Sequence, residues 1–480
     1  MNQKTTTLLS ALATAMIGIL VVAWWVGRNP APDLKLSVPG MDGKPATPAA
    51  GQTGAVDVVK IGETFKAYDG KPSSLPGAWP GFRGANFDNI SRETVPLADS
   101  WPAAGPPVLW SVALGEGYAA PAVRNGRVYV LDYDEAKSAD VLKCLSLDDG
   151  REIWRRGYRV RVKRNHGMSR TIPAVTDKYV VTIGPRCHVM CVDAVSGDLR
   201  WGLDLERDYG TKVPLWYTGQ CPLVDQDVAV IAPGGNFLLM GVDCASGQTV
   251  WSTPNPEKWN MSHASVVPFV LNGKRMYVYC AAEGTVGVSA QGDDRGKVLW
   301  STREWANSVI APSPLSLGDG RIFFTAGYSA GSAMLKVEED KGSYKVTVLQ
   351  RLKPGEGLAS EQQTPIFFEG HLFAILPKDG GEQRNEFVCY RADDCSKLVW
   401  SSGKSDRYGL GPYLLADGKF YVMDDSGVLT MLKASTRGYE RLARAKVLTG
   451  VDSWGPIALV GGRMMVRDSK RMVCLDVRKN

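Results

Sequence analysis

Histidine is scarce in this chain, with four in 480 residues, and no paired Cys-x-x-Cys occurs. A structural zinc site, which rests on such pairs, is not expected. Covalent haem needs Cys-x-x-Cys-His, and the nearest phrase, Cys187-His188-Val189-Met190-Cys191, has the wrong order. Neither a phosphate loop nor a dinucleotide fingerprint is present. No long stretch repeats apolar residues every 3.6 positions, so helical solenoids are not predicted either. One long apolar run exists, LLSALATAMIGILVVAWWV at residues 8–26. As a helix it would reach about 28 Å, close to a hydrocarbon core of roughly 30 Å. No small-x-small cleavage pattern follows it and no cysteine lies near it. The run therefore reads as an uncleaved signal anchor over residues 1–27, a single pass through a membrane. Lys4 and the amino terminus balance Arg28, so charge does not orient it.

Tryptophan, in contrast, is plentiful and regular. Trp110, Trp154, Trp201, Trp251, Trp300 and Trp400 follow one another at 44, 47, 50, 49 and 100 residues, the last a doubled step with one member missing. A period of about 40–50 residues marks a repeat architecture. Four of these residues close one phrase, as in Val192-Asp193-Ala194-Val195-Ser196-Gly197-Asp198-Leu199-Arg200-Trp201, with the glycine four residues before the indole. Asp, Ser and Gly make a turn between two strands. A second hairpin turn can be read eight times upstream, from Asn125-Gly126 and Asp177-Lys178 through Asp225-Gln226 to Gly461-Gly462. Each unit is thus four short antiparallel strands, and eight units make an eight-bladed β-propeller over residues 107–480. The eighth unit stops before its tryptophan strand, and the strand of Trp110 has none of its own ahead of it. The simplest arrangement lets the N-terminal strand complete the last blade, which removes exposed edges. Residues 79–106 form a lead-in. Residues 28–78, rich in Pro, Gly, Ala and Thr, read as a flexible linker of roughly 40 Å root-mean-square reach.

The phrase Asp-x-x-(Ser/Thr)-Gly-x-x-x-Trp resembles the pyrroloquinoline-quinone-type propeller repeat. That family includes quinoprotein alcohol dehydrogenases and the propeller lipoprotein of bacterial outer-membrane protein assembly, which binds no quinone. The resemblance implies that Trp110, Trp154, Trp201, Trp251, Trp300 and Trp400 dock blade on blade. It also places the propeller on the periplasmic side of the bacterial cytoplasmic membrane. The nine cysteines fall largely at equivalent strand positions, where they act as small apolar residues, and no disulfide is expected.

Two places hold candidate chemistry. Loops leading into the innermost strands converge on the axis and carry Tyr118, Arg170, Gln220, His263, Asn307, Glu361, Tyr408 and Trp454. Arg170, His263, Asn307, Glu361 and Trp454 are the funnel candidates for a small molecule. By the resemblance, Asn307 and Glu361 would take the calcium-ligand roles and Arg170 the arginine role. The family's adjacent Cys-Cys pair and its aspartate base are missing at these positions, so no catalytic residue and no cofactor is expected. The bland reading is that these polar groups line a water-filled channel. Pyrroloquinoline quinone with calcium, in a quinone-dependent oxidoreductase, is the second reading, and an envelope glycan or another small ligand bound in the funnel is the third. The other place is a basic stretch, Arg155, Arg156, Arg159, Arg161, Lys163 and Arg164, suited to anionic lipid head groups, cell-wall polymers or an acidic partner. Together these point to an extracytoplasmic scaffold meeting other envelope proteins, with no nucleic-acid role. Gly327-Tyr328-Ser329-Ala330-Gly331 matches a nucleophile elbow in letters, but it lies between two strands and reads as a hairpin turn.

Overall fold

The inner hairpins have the backbone that their turn residues prescribe. Asn272 and Gly273 sit at φ 49° and 78°, and Asp417 and Gly418 at 46° and 67°. Both central residues left-handed is the type I′ geometry, whose twist matches that of paired strands. In the third blade the turn falls on Gln226 and Asp227, at φ 52° and 61°, one residue later than the sequence reading. Eight sheets, each built on four antiparallel strands, follow in chain order in the computed structural model, which describes residues 3–27 and 58–479. Blade 2 is representative, with strands Ala174–Val175, Tyr179–Ile183, His188–Asp193 and Leu199–Asp204. The two middle strands are buried on both faces because neighbouring blades cover each side. The outermost strand is largely exposed and buries its tryptophan.

The sheets of blades 1, 7 and 8 recruit strands from the N-terminal part. Blade 1 gains Thr64–Ala67 on its outer edge and Ala78–Trp79 on its inner edge. Blade 7 gains Ile90–Ser91, parallel to Tyr413–Ala416. Blade 8 contains Ala458–Val460, Arg463–Arg467 and Arg471–Asp476, and its fourth strand is Val108–Ala113, with Trp110 opposite Cys474. The segment 58–78, read from sequence as linker, is therefore partly strand. The rest of that linker, residues 28–57, lies outside the described residues.

One assignment is corrected. Crossing a bilayer takes about 20 consecutive predominantly apolar residues. No helix among the described residues is long and apolar enough to cross a membrane. The apolar run lies on the helix Gln3–Gly27. The single-pass assignment to the bacterial cytoplasmic membrane is therefore withdrawn.

Candidate functional site

The tryptophans set the frame on which any site is carried. Trp154 of blade 1 donates its indole N–H to the Val195 carbonyl in the turn of blade 2 (3.0 Å), and Trp201 of blade 2 donates to Cys244 in blade 3 (2.9 Å). Trp110 and Trp400 do the same to Leu147 and Ser435. The turn glycines ahead of Trp154, Trp201, Trp251 and Trp300 are each pressed by the ring of the preceding blade: a Cβ on Gly247 would lie 2.6 Å from Trp201. Trp251 instead stacks on Tyr277 of the next blade, 5.8 Å between centroids. Blade 5 carries no such phrase, and Trp300 bonds Met276 Sδ in its own blade (3.3 Å).

At the face where loops lead into the innermost strands, a funnel of about 460 Å³ opens on the axis. Tyr118, Arg170, His263, Glu361 and Trp454 line it together. Asn307 is not among the lining residues. Gln220 is closed off, bonded through both ends of its amide to the Ala232 backbone (3.0 and 2.9 Å). Tyr408 packs in the core of blades 6 and 7 and reaches Tyr439 (3.1 Å).

Arg170 is the centre of the charge pattern. One terminal nitrogen donates to the carbonyls of Asn165, His166 and Gly167 (2.8, 3.0 and 3.1 Å), which fixes the loop that carries it. The guanidinium lies 5.7 Å from the Tyr118 ring centroid, and its Nε has no partner. No carboxylate among the described residues pairs with it. Burial draws its pKa down to about 10, so it stays charged at neutral pH. His263 is buried and neither ring nitrogen has a partner. Burial, and then the Arg170 charge, hold its pKa down to about 3, so the ring is neutral. Across the funnel Glu361 is buried, its Oε2 is without a partner, and Lys378 lies 3.8 Å from its Oε1. Burial raises the Glu361 carboxyl above the usual range.

Aromatic rings form the walls. Tyr118 and Trp454 stand 5.1 Å apart at 35°, with the Tyr118 hydroxyl 3.4 Å from Asp452 and the Trp454 N–H on Asp425 (2.7 Å). Burial pushes the Tyr118 phenol up to about 12. Trp216 meets His166 edge-on at 5.2 Å. Tyr328 stands under Lys378 at 5.5 Å. Trp216, Tyr328, Lys378 and Phe82 also line the funnel, and no pattern in the sequence places them there. Tyr328 and Lys378 come from loops joining second and third strands, which reach the same face as the loops leading into the innermost strands.

Phe82 closes the bore. The lead-in crosses the axis from the inner edge of blade 1 to that of blade 7, anchored by buried Arg83, which donates to the Pro365 carbonyl of blade 6 (2.8 Å). Phe82 lines both the funnel and a second cavity of about 510 Å³ lined by inner-hairpin residues such as Asp177 and Asp225. The axis is thus a blind pocket rather than an open channel.

Of the basic stretch, Arg155 pairs with Glu152, and Arg156 donates to the carbonyls of Gly197 and Gly62. Arg159, Arg161, Lys163 and Arg164 are exposed, alternating at first with buried Val160 and Val162. Tyr133 pins this strip, donating to the Val160 carbonyl (2.9 Å) and accepting from the Val162 N–H (3.0 Å). Arg164 pairs with Glu116 (2.8 Å). In the Gly327–Gly331 segment, Tyr328 and Ser329 are left-handed (φ 56° and 65°) and the Ala330 N–H bonds the Gly327 carbonyl (3.2 Å). This is a hairpin turn, not a strand-to-helix elbow.

A quinone with calcium does not fit these residues. Calcium takes six to eight oxygen ligands. The funnel offers one carboxylate, Glu361, which faces Lys378, and no group of three or more His, Cys, Asp or Glu side chains gathers among the described residues.

The fold is shared with proteins of both kinds. BamB from Moraxella catarrhalis superposes with a TM-score of 0.51 at 14% identity, covering 77% of this chain and 99% of its own. A europium-containing methanol dehydrogenase gives 0.58 at 12% identity, over 82% and 89%. The quinohemoprotein alcohol dehydrogenase from Comamonas testosteroni gives 0.57 at 13%, over 84% and 81%. At such identities the likeness is one of fold. No curated protein matches the sequence. The family described as outer membrane protein assembly factor BamB matches residues 137–381, half of the chain, and the protein belongs to that family.

Proposed function

We propose that the protein is an interaction scaffold that assembles with other proteins of the cell envelope, through the basic strip beside the funnel. The observation that carries this reading is the strip itself. Val160 and Val162 are buried anchors, while Arg159 and Arg161 present their charges outward from a rigid blade. Binding residues concentrate on such loops over rigid frames. Positive charge there favours an acidic partner surface and speeds encounter with it. Membership of an assembly-factor family supports the same reading, and so does the poor fit of the funnel to a quinone with calcium.

The test is cross-linking of the chain to an envelope extract, with Arg159→Glu and Arg161→Glu introduced together. The expected outcome is loss of the adducts at an unchanged melting temperature, and loss of the wild-type adducts as salt is raised. Adducts that survive the double reversal would remove the strip from the interface.

A further inference from the structure

Charges buried in proteins are paired, because leaving water without a partner is costly. Arg170 breaks that rule on the carboxylate side. It is partly buried and charged, and it is held only by three carbonyls and a tyrosine ring. Beside it stands a buried imidazole with both nitrogens unpartnered. Opposite is Glu361 with a buried, unpartnered oxygen. Three side chains with unpartnered buried polar atoms line one cavity, and an occupant that brings an anion and several hydroxyl-like groups would satisfy them. A neutral imidazole offers one donor and one acceptor, and a hydroxyl can meet either.

The walls narrow the choice. Trp454 and Tyr118 present ring faces tilted by 35°, so they form no parallel slot for a flat aromatic ligand. Separate ring faces suit the C–H faces of a puckered ring, which approach the negative face of an aromatic system. A peptide would dock through its main chain on a strand edge. The polar groups named here are side chains, and the inner edges of blades 1 and 7 are already covered by Ala78–Trp79 and Ile90–Ser91. Because Phe82 blocks the bore, the pocket takes the end of a chain rather than its middle. Its volume of about 460 Å³ is that of an ordinary small-ligand site.

We infer that the funnel binds the end of an acidic oligosaccharide, with a sugar carboxylate on Arg170, hydroxyls on His263 and Glu361, and a ring face against Trp454. This site is separate from the basic strip, and neither reading depends on the other.

The experiment is titration of the full chain with trigalacturonate, followed by calorimetry and tryptophan fluorescence. One saturable site per chain and a change in indole emission are expected. Arg170→Met is expected to weaken binding about tenfold or more, as for a lost charge-assisted bond. Arg170 also ties its own loop, so Trp454→Ala is measured beside it and decides the matter if Arg170→Met does not fold. It is expected to weaken binding several-fold at an unchanged melt. Maltotriose, neutral and of the same length, is expected not to bind measurably. Absence of trigalacturonate binding overturns the proposal, as does binding that Trp454→Ala leaves unchanged. Equal affinity for maltotriose would remove the role of charge and overturn it. Equal affinity for hexaglutamate, with the same dependence on Trp454, would replace the sugar with an acidic peptide.

Discussion

The residue facing each outer-strand tryptophan is small because the indole occupies its space. Cys144, Cys191, Gly241, Gly287, Cys389 and Cys474 stand opposite Trp154, Trp201, Trp251, Trp300, Trp400 and Trp110. A Cβ on Gly241 would lie 2.1 Å from Trp251 Nε1. In each case the register then shifts, a bulge that turns the ring toward the next blade. Trp201→Ala is expected to cost about 3–5 kcal/mol in a urea unfolding titration, as for a buried aromatic. Cys191→Leu is expected to cost about 1–3 kcal/mol by overpacking the same pair. Losses below about 1 kcal/mol at Trp201 would mean that the ring holds no blades together. All nine cysteines are buried and free, and burial pushes thiols such as Cys187 and Cys280 up to about 12. A colorimetric thiol assay is expected to find none reactive in the native chain and all nine after denaturation.

Blades differ where they meet. Between blades 1 and 2, Asp140 is buried, accepts from the Tyr158 hydroxyl (2.8 Å) and keeps its other oxygen without a partner. Tyr158 in turn meets His188 edge-on at 5.4 Å, and Asp204 lies 3.7 Å from His188. Burial, reinforced by Asp132, raises the Asp140 carboxyl from 3.8 to about 7. A carboxyl whose pKa is raised on folding binds its proton more tightly in the native state. Its contribution to stability is complete below about pH 3.8 and is lost as pH rises through about 7. Asp140→Asn is expected to remove this slope, so the difference in melting temperature between mutant and wild type should grow from pH 4 to pH 7. Parallel pH profiles would show that the carboxyl is not held protonated. Blade 5 is another departure. Its outer hairpin, Gly331–Asp340 with Ser343–Leu352, is longer than the others and has neither the turn phrase nor a tryptophan. The doubled step in the tryptophan series is this blade.

At the scale of the molecule, the lead-in is part of the ring's interior. It covers inner edges of two sheets and fills the axis with Phe82 and buried Arg83, whose pKa burial draws down to about 10. A chain beginning at Pro107 should keep its eight sheets but lose this packing. The expected outcome is a lower melting temperature and new binding of a hydrophobic dye, and an unchanged melt would show the lead-in to be peripheral. Period, turn chemistry and the glycine-to-tryptophan spacing are local properties, so blade number and strand order were legible in the residues alone. The same holds for Arg170, His263, Glu361 and Trp454, because every blade repeats the loop that leads to the axis. Asn307 occupies the same place in its repeat but does not line the funnel, and no local pattern separates it from the others. Trp216, Tyr328 and Lys378 come from loops of irregular length, and Phe82 comes from outside the repeats altogether. Those residues meet only when the ring brings remote segments to one axis. The missing counter-ion of Arg170 is likewise a property of that convergence, since charge pairing depends on distance in space and not along the chain. The sequence by itself determined the repeating blade; the tertiary structure decided that its centre is a blind, unsatisfied pocket.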